Sequence, residues 1–237
     1  MAPKVGVAYW LGNALYVALT NRPRGLALAA SRGPSFSMPQ SSDFAPLAAE
    51  PTVSDVVEAV LHAYSTDPRK GNKVLKRLDG GEVDPGIVFS GLGDPLLRLD
   101  TLLQAAATIR HEVPGVKIRL STNGLVGPTS YIAASLRDAN IDEVTVALNA
   151  ADPATYASFM LMPPPYTPPY FATAPEAVGE VDGASFGDVC AFIAALAEGG
   201  TAVAATCVAR PGVDVASVRA LALALGARDF KERSWHP

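Results

Sequence analysis

The feature that most constrains this chain is the regular alternation of short apolar runs with segments of helical period. Ile87–Ser90, Val116–Leu120, Glu143–Leu148, Val203–Val208 and Ala227–Lys231 each have the length and β-branched character of a strand. Between them lie segments of helical spacing: Leu99–Glu112, Tyr131–Ala139, Asp152–Met160, Phe186–Leu196 and Val213–Leu225. Upstream, Val53–Tyr64 places apolar residues at 53, 56, 57, 60, 61 and 64, and Thr52 or Ser54 stands where a cap is needed. Val5–Trp10 and Leu15–Leu19 flank Gly12-Asn13 and predict a hairpin. Repeated strand–helix units imply parallel strands joined by right-handed crossovers. About six such units are visible, short of the eight that close a (β/α)8 barrel. The prediction is an α/β fold, a partial TIM barrel, in preference to a doubly wound sheet.

A single domain over residues 1–237 accommodates these units, with residues 1–13 as an N-terminal strand or hairpin. Two stretches interrupt the pattern. Residues 31–51 are rich in Pro and Ser and predict a long surface loop. Residues 163–182 carry Pro163-Pro164-Pro165 and Pro168-Pro169 with Tyr166, Tyr170 and Phe171 interleaved, which fits a rigid excursion on the barrel surface or a polyproline ligand. Arg69–Arg77 is basic and reads as a solvated segment.

Several function classes are excluded at this level. A net charge of −4 has the wrong sign for an electrostatic nucleic-acid binder. No apolar run reaches the ~18 residues of a spanning helix, so no membrane partner is expected. The first residues lack the apolar core of a signal peptide. The two cysteines, Cys190 and Cys207, sit in apolar segments and read as small core residues, consistent with a cytoplasmic, reducing setting.

Ligands of parallel α/β folds bind at the carboxyl ends of the strands. The polar and glycine-rich turns of this chain concentrate there. Gly91-Leu92-Gly93-Asp94 follows one strand, and its carboxylate suits a ligand ammonium, although a tight turn has the same composition. Thr122-Asn123-Gly124 follows the next, and Asn149 the one after; each Asn suits a ribose or a carboxylate, or serves a turn or cap. Thr206 stands near the end of the following strand.

Taken in order, these pieces resemble a radical S-adenosylmethionine (SAM) core, and most of all the TatD-linked radical SAM proteins. The resemblance rests on Leu15-Tyr16-Val17-Ala18-Leu19-Thr20-Asn21-Arg22, Val88-Phe89-Ser90-Gly91-Leu92-Gly93-Asp94-Pro95, Ile118-Arg119-Leu120-Ser121-Thr122-Asn123-Gly124-Leu125 and Asp142–Ala150, and spans roughly residues 12–233. It implies a six-stranded partial barrel with SAM contacted by Gly91, Gly93 and Asp94 at its amino group and by Asn149 and Thr206 at its ribose and carboxylate. Asn123 falls in the family's Thr-Asn-Gly turn. A TatD-type nuclease is the protein partner that the resemblance implies.

The departures matter as much. After the first barrel strand such enzymes carry Cys-x3-Cys-x2-Cys, which holds a 4Fe-4S cluster. That spacing falls here on Pro23, Ala27 and Ala30, none of which ligates iron. Asp94 replaces the family's Glu. His62, His111 and His236 are scattered and supply no substitute metal site. The expectation is therefore a pseudoenzyme, serving a protein partner, or a protein that binds a small molecule, SAM or an adenine nucleotide, in either case without a 4Fe-4S cluster. The alternatives are a radical SAM enzyme with atypical ligation, or a non-radical enzyme using the strand-end pocket, for which no general base is evident. Arg22, Arg24 and Arg32 near the altered loop suit an anion, or are solvated.

Overall fold

The structure is a computed structural model and describes residues 4–39, 42–66, 86–162, 178–179 and 182–237. The basic stretch 69–77 and the prolines and aromatics of 163–177 lie outside the described residues. The order is β1 (Ala8–Leu11), β2 (Ala14–Val17), β3 (Gly25–Leu26), α1 (Val53–Thr66), β4 (Ile87–Phe89), α2 (Leu99–Glu112), β5 (Ile118–Thr122), α3 (Thr129–Asp138), β6 (Glu143–Ala147), α4 (Pro153–Met160), β7 (Val178–Gly179), α5 (Phe186–Glu198), β8 (Ala202–Ala209), α6 (Val215–Ala224) and β9 (Asp229–Ser234).

Seven strands form one sheet in the order β1-β2-β4-β5-β6-β8-β9. The β1–β2 hairpin is antiparallel, and every later pairing is parallel. Six parallel strands thus follow one another in chain order, the arrangement the alternation predicts. A second, two-stranded sheet pairs β3 with β7.

The outward residues of the strands explain why the helices pack where they do. Leu15, Val17, Ile87, Phe89, Ile118, Leu120, Val144, Val146, Ala205 and Cys207 are all fully buried. Alternate positions of a strand share a face, so these residues make one continuous apolar layer beneath the helices. Helix starts are fixed locally. Thr52 and Asp55 exchange hydrogen bonds at the head of α1, and Asp152, with Pro153 behind it, accepts from the Thr155 amide at 2.9 Å. Ser185 and Asp188 form a capping box on α5.

The stretch after Ser31 is irregular, as its composition predicts, but it is anchored. A short 3-10 turn (Ala30–Arg32) opens it, and Ser31 and Leu47 are buried. The segment then runs beside residues 234–236: the His236 amide donates to the Arg32 carbonyl at 2.8 Å, and the Ser35 amide to the His236 carbonyl at 3.3 Å. β9 also extends three residues beyond the predicted Lys231, to Ser234. Its charged residues hide it from an apolar-run criterion. They are tolerated because β9 is an edge strand and its inward side faces a polar barrel interior.

Candidate strand-end ligand site

In-register pairing puts matching residues of neighbouring strands on the same face. Ser121 pairs with Thr145, and Arg119 with Glu143; Ala147 pairs with Thr206, Thr206 with Lys231, and Val208 with Arg233. This face is opposite the helices and lines the barrel interior. Interiors of closed barrels are filled by branched apolar side chains. Here the interior carries hydroxyls towards the strand ends, with Arg119, Glu143, Lys231 and Asp229 among them. Lys231 lies 3.7 Å from Glu143 and 3.3 Å from Asp229.

A cavity of about 190 Å³ opens at the carboxyl ends of these strands. Its wall includes Tyr9, Ser90, Gly91, Ser121, Asn149 and Thr206, and the more exposed Tyr16, Phe36, Arg32 and Arg233 line its mouth. Tyr9 and Tyr16 stack at 5.7 Å, and burial followed by the proximity of Tyr16 pushes the Tyr9 phenol well above its ordinary range. Asn149 takes a left-handed conformation at φ 56°, which Asn tolerates better than most residues. Its Oδ1 accepts from the Val208 amide at 2.9 Å, and its Nδ2 lies 3.2 Å from the Met160 sulfur. The Asn149 amide is thus committed to positioning the β6 and β8 ends. Thr206 and Ser90 are 7% and 8% exposed, and among the described residues their hydroxyls donate to no protein acceptor.

The remaining predicted residues lie elsewhere. Gly93, Asp94 and Asn123 line a second space of only about 10 Å³, together with Pro23, Ala27 and Arg24. Asp94 is spent inside the protein. One oxygen accepts from the Leu96 amide at 3.0 Å, and the other from Thr122 Oγ1 at 2.7 Å and the Asn123 amide at 3.1 Å. Burial nonetheless raises its pKa, against those hydrogen bonds and the charge of Arg24. Gly93 is required by backbone packing: a Cβ there would stand 2.5 Å from the carbonyls of Thr20 and Arg22. The Gly93 and Asp94 amides donate to those same two carbonyls. Asn123 Oδ1 accepts from the Leu125 amide, closing its own turn. The structure therefore brings Gly91, Asn149 and Thr206 together and sets Gly93, Asp94 and Asn123 apart from them.

The loop arginines divide similarly. Arg22 and Arg98 both bond Glu50, at 2.9 and 2.7 Å, and Arg24 pairs with Asp182. Arg32 meets no carboxylate among the described residues. It donates to the Ser234 carbonyl at 2.9 Å, contacts His236 and lies over the Phe36 ring at 4.7 Å. Burial, then the positive charge of Arg233, lowers its pKa.

Pro23, Ala27 and Ala30 are buried, the alanines at 2% and 0% exposure. None of these side chains offers a thiolate, so a 4Fe-4S cluster does not fit the residues present at these positions. Burial pushes the Cys207 thiol up to about 12 and raises Cys190 as well, so neither is disposed to act as a thiolate. His111 is exposed beside Glu112, and His236 packs on Phe36. Among the described residues no group of three His, Cys, Asp or Glu is placed to hold a metal ion, and no helix is long and apolar enough to cross a membrane.

Sequence reasoning missed the inward residues Ser90, Ser121, Thr145 and Arg233. The signal was present. Parallel strands buried on both faces read as continuous apolar runs, whereas Ile118-Arg119-Leu120-Ser121 and Glu143-Val144-Thr145-Val146 alternate. Alternation in parallel strands marks a wet inner face.

No family model matches the chain. A segment of 64 residues is 40% identical to the FeMo cofactor biosynthesis protein NifB of Klebsiella pneumoniae, covering 27% of this chain and 13% of that protein. Among solved structures, SuiB of Streptococcus suis bound to S-adenosylmethionine superposes over 93% of this chain and 38% of its own, with a TM-score of 0.57 at 11% identity. The radical S-adenosylmethionine methyltransferase TsrM of Kitasatospora setae superposes over 92% of this chain and 35% of its own, with a TM-score of 0.51 at 14% identity. Methylornithine synthase superposes over 96% of this chain and 56% of its own, with a TM-score of 0.52 at 13% identity. The chain spans less than two thirds of each of these proteins, and it carries the partial-barrel α/β fold of radical SAM enzymes.

Proposed function

We propose that this chain is a divergent relative of the radical SAM enzymes that binds a small molecule at its strand ends without radical chemistry. The reading rests on one contrast. The positions at which the resemblance calls for cluster ligands hold Pro23, Ala27 and Ala30, buried in the interior, while the cavity bounded by Gly91, Asn149 and Thr206 remains open. Radical chemistry on this fold needs a cluster to pass an electron to the SAM sulfonium, and the residues present supply no thiolate for it. SAM or another adenine compound is the ligand class that the fold suggests. The cavity, at about 190 Å³, is smaller than the roughly 300–1,000 Å³ of sites that bury a drug-sized ligand. A nucleoside or part of a larger molecule suits it.

Anaerobic reconstitution with iron and sulfide, followed by visible spectroscopy and calorimetric titration with SAM and adenosine, tests this reading. The expected outcome is no iron–sulfur absorption and saturable binding of an adenine compound. Stoichiometric iron with a broad charge-transfer band would favour a radical enzyme with atypical ligation and overturn the proposal.

A further inference from the structure

We infer that the ligand of the strand-end cavity is an anion, with its phosphate or carboxylate head held between Arg32 and Arg233 and a hydroxylated body lying against Ser90 and Thr206. The inference rests on the reading of this cavity as a ligand site and narrows the ligand class.

Three observations carry it. First, two arginines line one cavity, Arg32 from the loop after β3 and Arg233 from the edge strand β9, close enough for the charge of one to act on the other. Like charges held together are unfavourable unless an anion lies between them. Every other arginine around the altered loop is matched to a carboxylate of the protein: Arg22 and Arg98 to Glu50, Arg24 to Asp182. Arg32 and Arg233 have no such partner among the described residues. Deeper in the barrel, Lys231 is already balanced by Glu143 and Asp229, so nothing there offsets the excess positive charge at the mouth.

Second, Arg32 is braced. Its Nε donates to the Ser234 carbonyl at 2.9 Å, and its plane lies over Phe36 at 4.7 Å. A guanidinium fixed in this way presents its remaining N–H groups at little further entropic cost, which suits bidentate binding of a phosphate or carboxylate. Third, Ser90 and Thr206, residues 8% and 7% exposed, line the cavity, and among the described residues neither hydroxyl makes a hydrogen bond to the protein. Hydroxyls without a protein partner at a cavity wall call for a polar guest. Sugar phosphates and nucleotides combine these two requirements. SAM offers a carboxylate as well, but its ammonium and sulfonium meet the same positive charge, so a phosphate ester matches the mouth better.

Calorimetric titration with adenosine, adenosine 5′-monophosphate, ribose 5-phosphate and gluconate tests the inference. At least one phosphate ester is expected to bind tenfold or more tightly than adenosine, with affinity falling as salt rises. Gluconate binding without phosphate-ester binding would identify a carboxylate head instead. Arg233→Gln, whose exposed side chain makes no hydrogen bond or ion pair among the described residues, is expected to leave the melting temperature unchanged and weaken the anion at least tenfold. Equal affinity for adenosine and its monophosphate, unchanged anion affinity in Arg233→Gln, or no binding of any anionic probe would overturn the inference. Thr206→Leu separates the two levels. If it abolishes adenosine or SAM binding while a phosphate adds nothing, the cavity reading stands and the anion inference fails. If it leaves the binding of every probe intact, the cavity reading fails and the anion inference with it.

Discussion

Two neighbouring spaces at the same end of the barrel have been treated in opposite ways. Around Pro23, Ala27 and Asp94 the charges are answered by the protein, although Arg24 Nε and the Tyr156 hydroxyl stay unbonded: Asp94 by three donors, Arg24 by Asp182 and the Leu125 carbonyl, Arg22 by Glu50. Around Ser90, Thr206, Arg32 and Arg233 the polar groups face a cavity. A buried polar group left unsatisfied costs free energy, so a protein that has filled one space and left the other open, with unbonded hydroxyls on its wall, is poised to receive a guest in the second. Position at a strand end is therefore not enough to assign a residue to a ligand. What decides is whether its hydrogen bonds are already taken.

The largest effect that would break this comparison is at Asp94. Asp94→Ala strands the Thr122 hydroxyl and the Leu96 and Asn123 amides, and is expected to cost about 3 kcal/mol of stability, read by urea unfolding. Affinity for a ligand in the larger cavity should change less than twofold in the folded fraction. Lost binding with stability retained would move Asp94 into the ligand site. The pH dependence has a definite sign. Because burial raises the folded-state pKa of Asp94, its contribution to stability is full below the unfolded pKa and is lost as pH rises through the folded one. Asp94→Asn should remove that decline.

Gly93→Ala follows. A Cβ placed 2.5 Å from two backbone carbonyls forces the loop at Thr20–Arg22 to move, at a cost of roughly 2 kcal/mol. At Gly91, on the wall of the open cavity, the nearest neighbour is the Ala18 methyl at 3.0 Å, and the penalty should be smaller. Melting temperatures of the two variants compare the closed side with the open one directly. Equal penalties would show that both glycines serve packing alone.

The same contrast explains what could be read from the chain. The fold was legible because the alternation of strand and helix is local, and six parallel strands follow from it with few alternatives. The strand-end turns were legible because topology puts ligands there. The split among those turns was not, since it depends on contacts between distant segments: Gly93 against the Thr20 carbonyl, Asp94 against Thr122. The arginines show the same limit. Arg22, Arg24 and Arg32 are alike in sequence, yet Glu50 neutralises the first and Asp182 the second, the latter 158 residues away. Arg233 is hidden in the sequence because Phe230 is the last apolar residue before it, and Lys231-Glu232-Arg233-Ser234 carry no apolar signal of a strand.

A smaller effect is expected at Glu50, which holds the loop on the closed side. Burial pushes its pKa up, but hydrogen bonds from Thr20 and Arg22 and the charges of Arg22 and Arg98 prevail and hold it below the ordinary range. Its stabilisation is therefore present above the unfolded pKa and lost as pH falls through the folded one. The side chain is 37% exposed, so solvent screens much of this, and Glu50→Gln should cost about 1 kcal/mol near neutrality. The difference from wild type should vanish in acid, as thermal unfolding across pH would record. A pH-independent difference would assign the loss to packing rather than charge.

The smallest effect sharpens the comparison most. Arg22 and Arg233 are both exposed arginines near the strand ends, and a purely electrostatic count treats them alike. Their partners differ: Arg22 bonds Glu50, whereas Arg233 faces the cavity. Arg22→Gln leaves Glu50 bonded to Arg98, so stability should fall by only about 0.5 kcal/mol. Anion affinity should change less than twofold, because the field of an arginine already paired with a carboxylate is small at the cavity mouth. A tenfold loss from Arg22→Gln would mean that the whole cationic rim attracts the ligand and that no localised clamp exists. An unchanged affinity, measured in the same titration that registers Arg233→Gln, would assign the recognition to the arginines without a carboxylate partner.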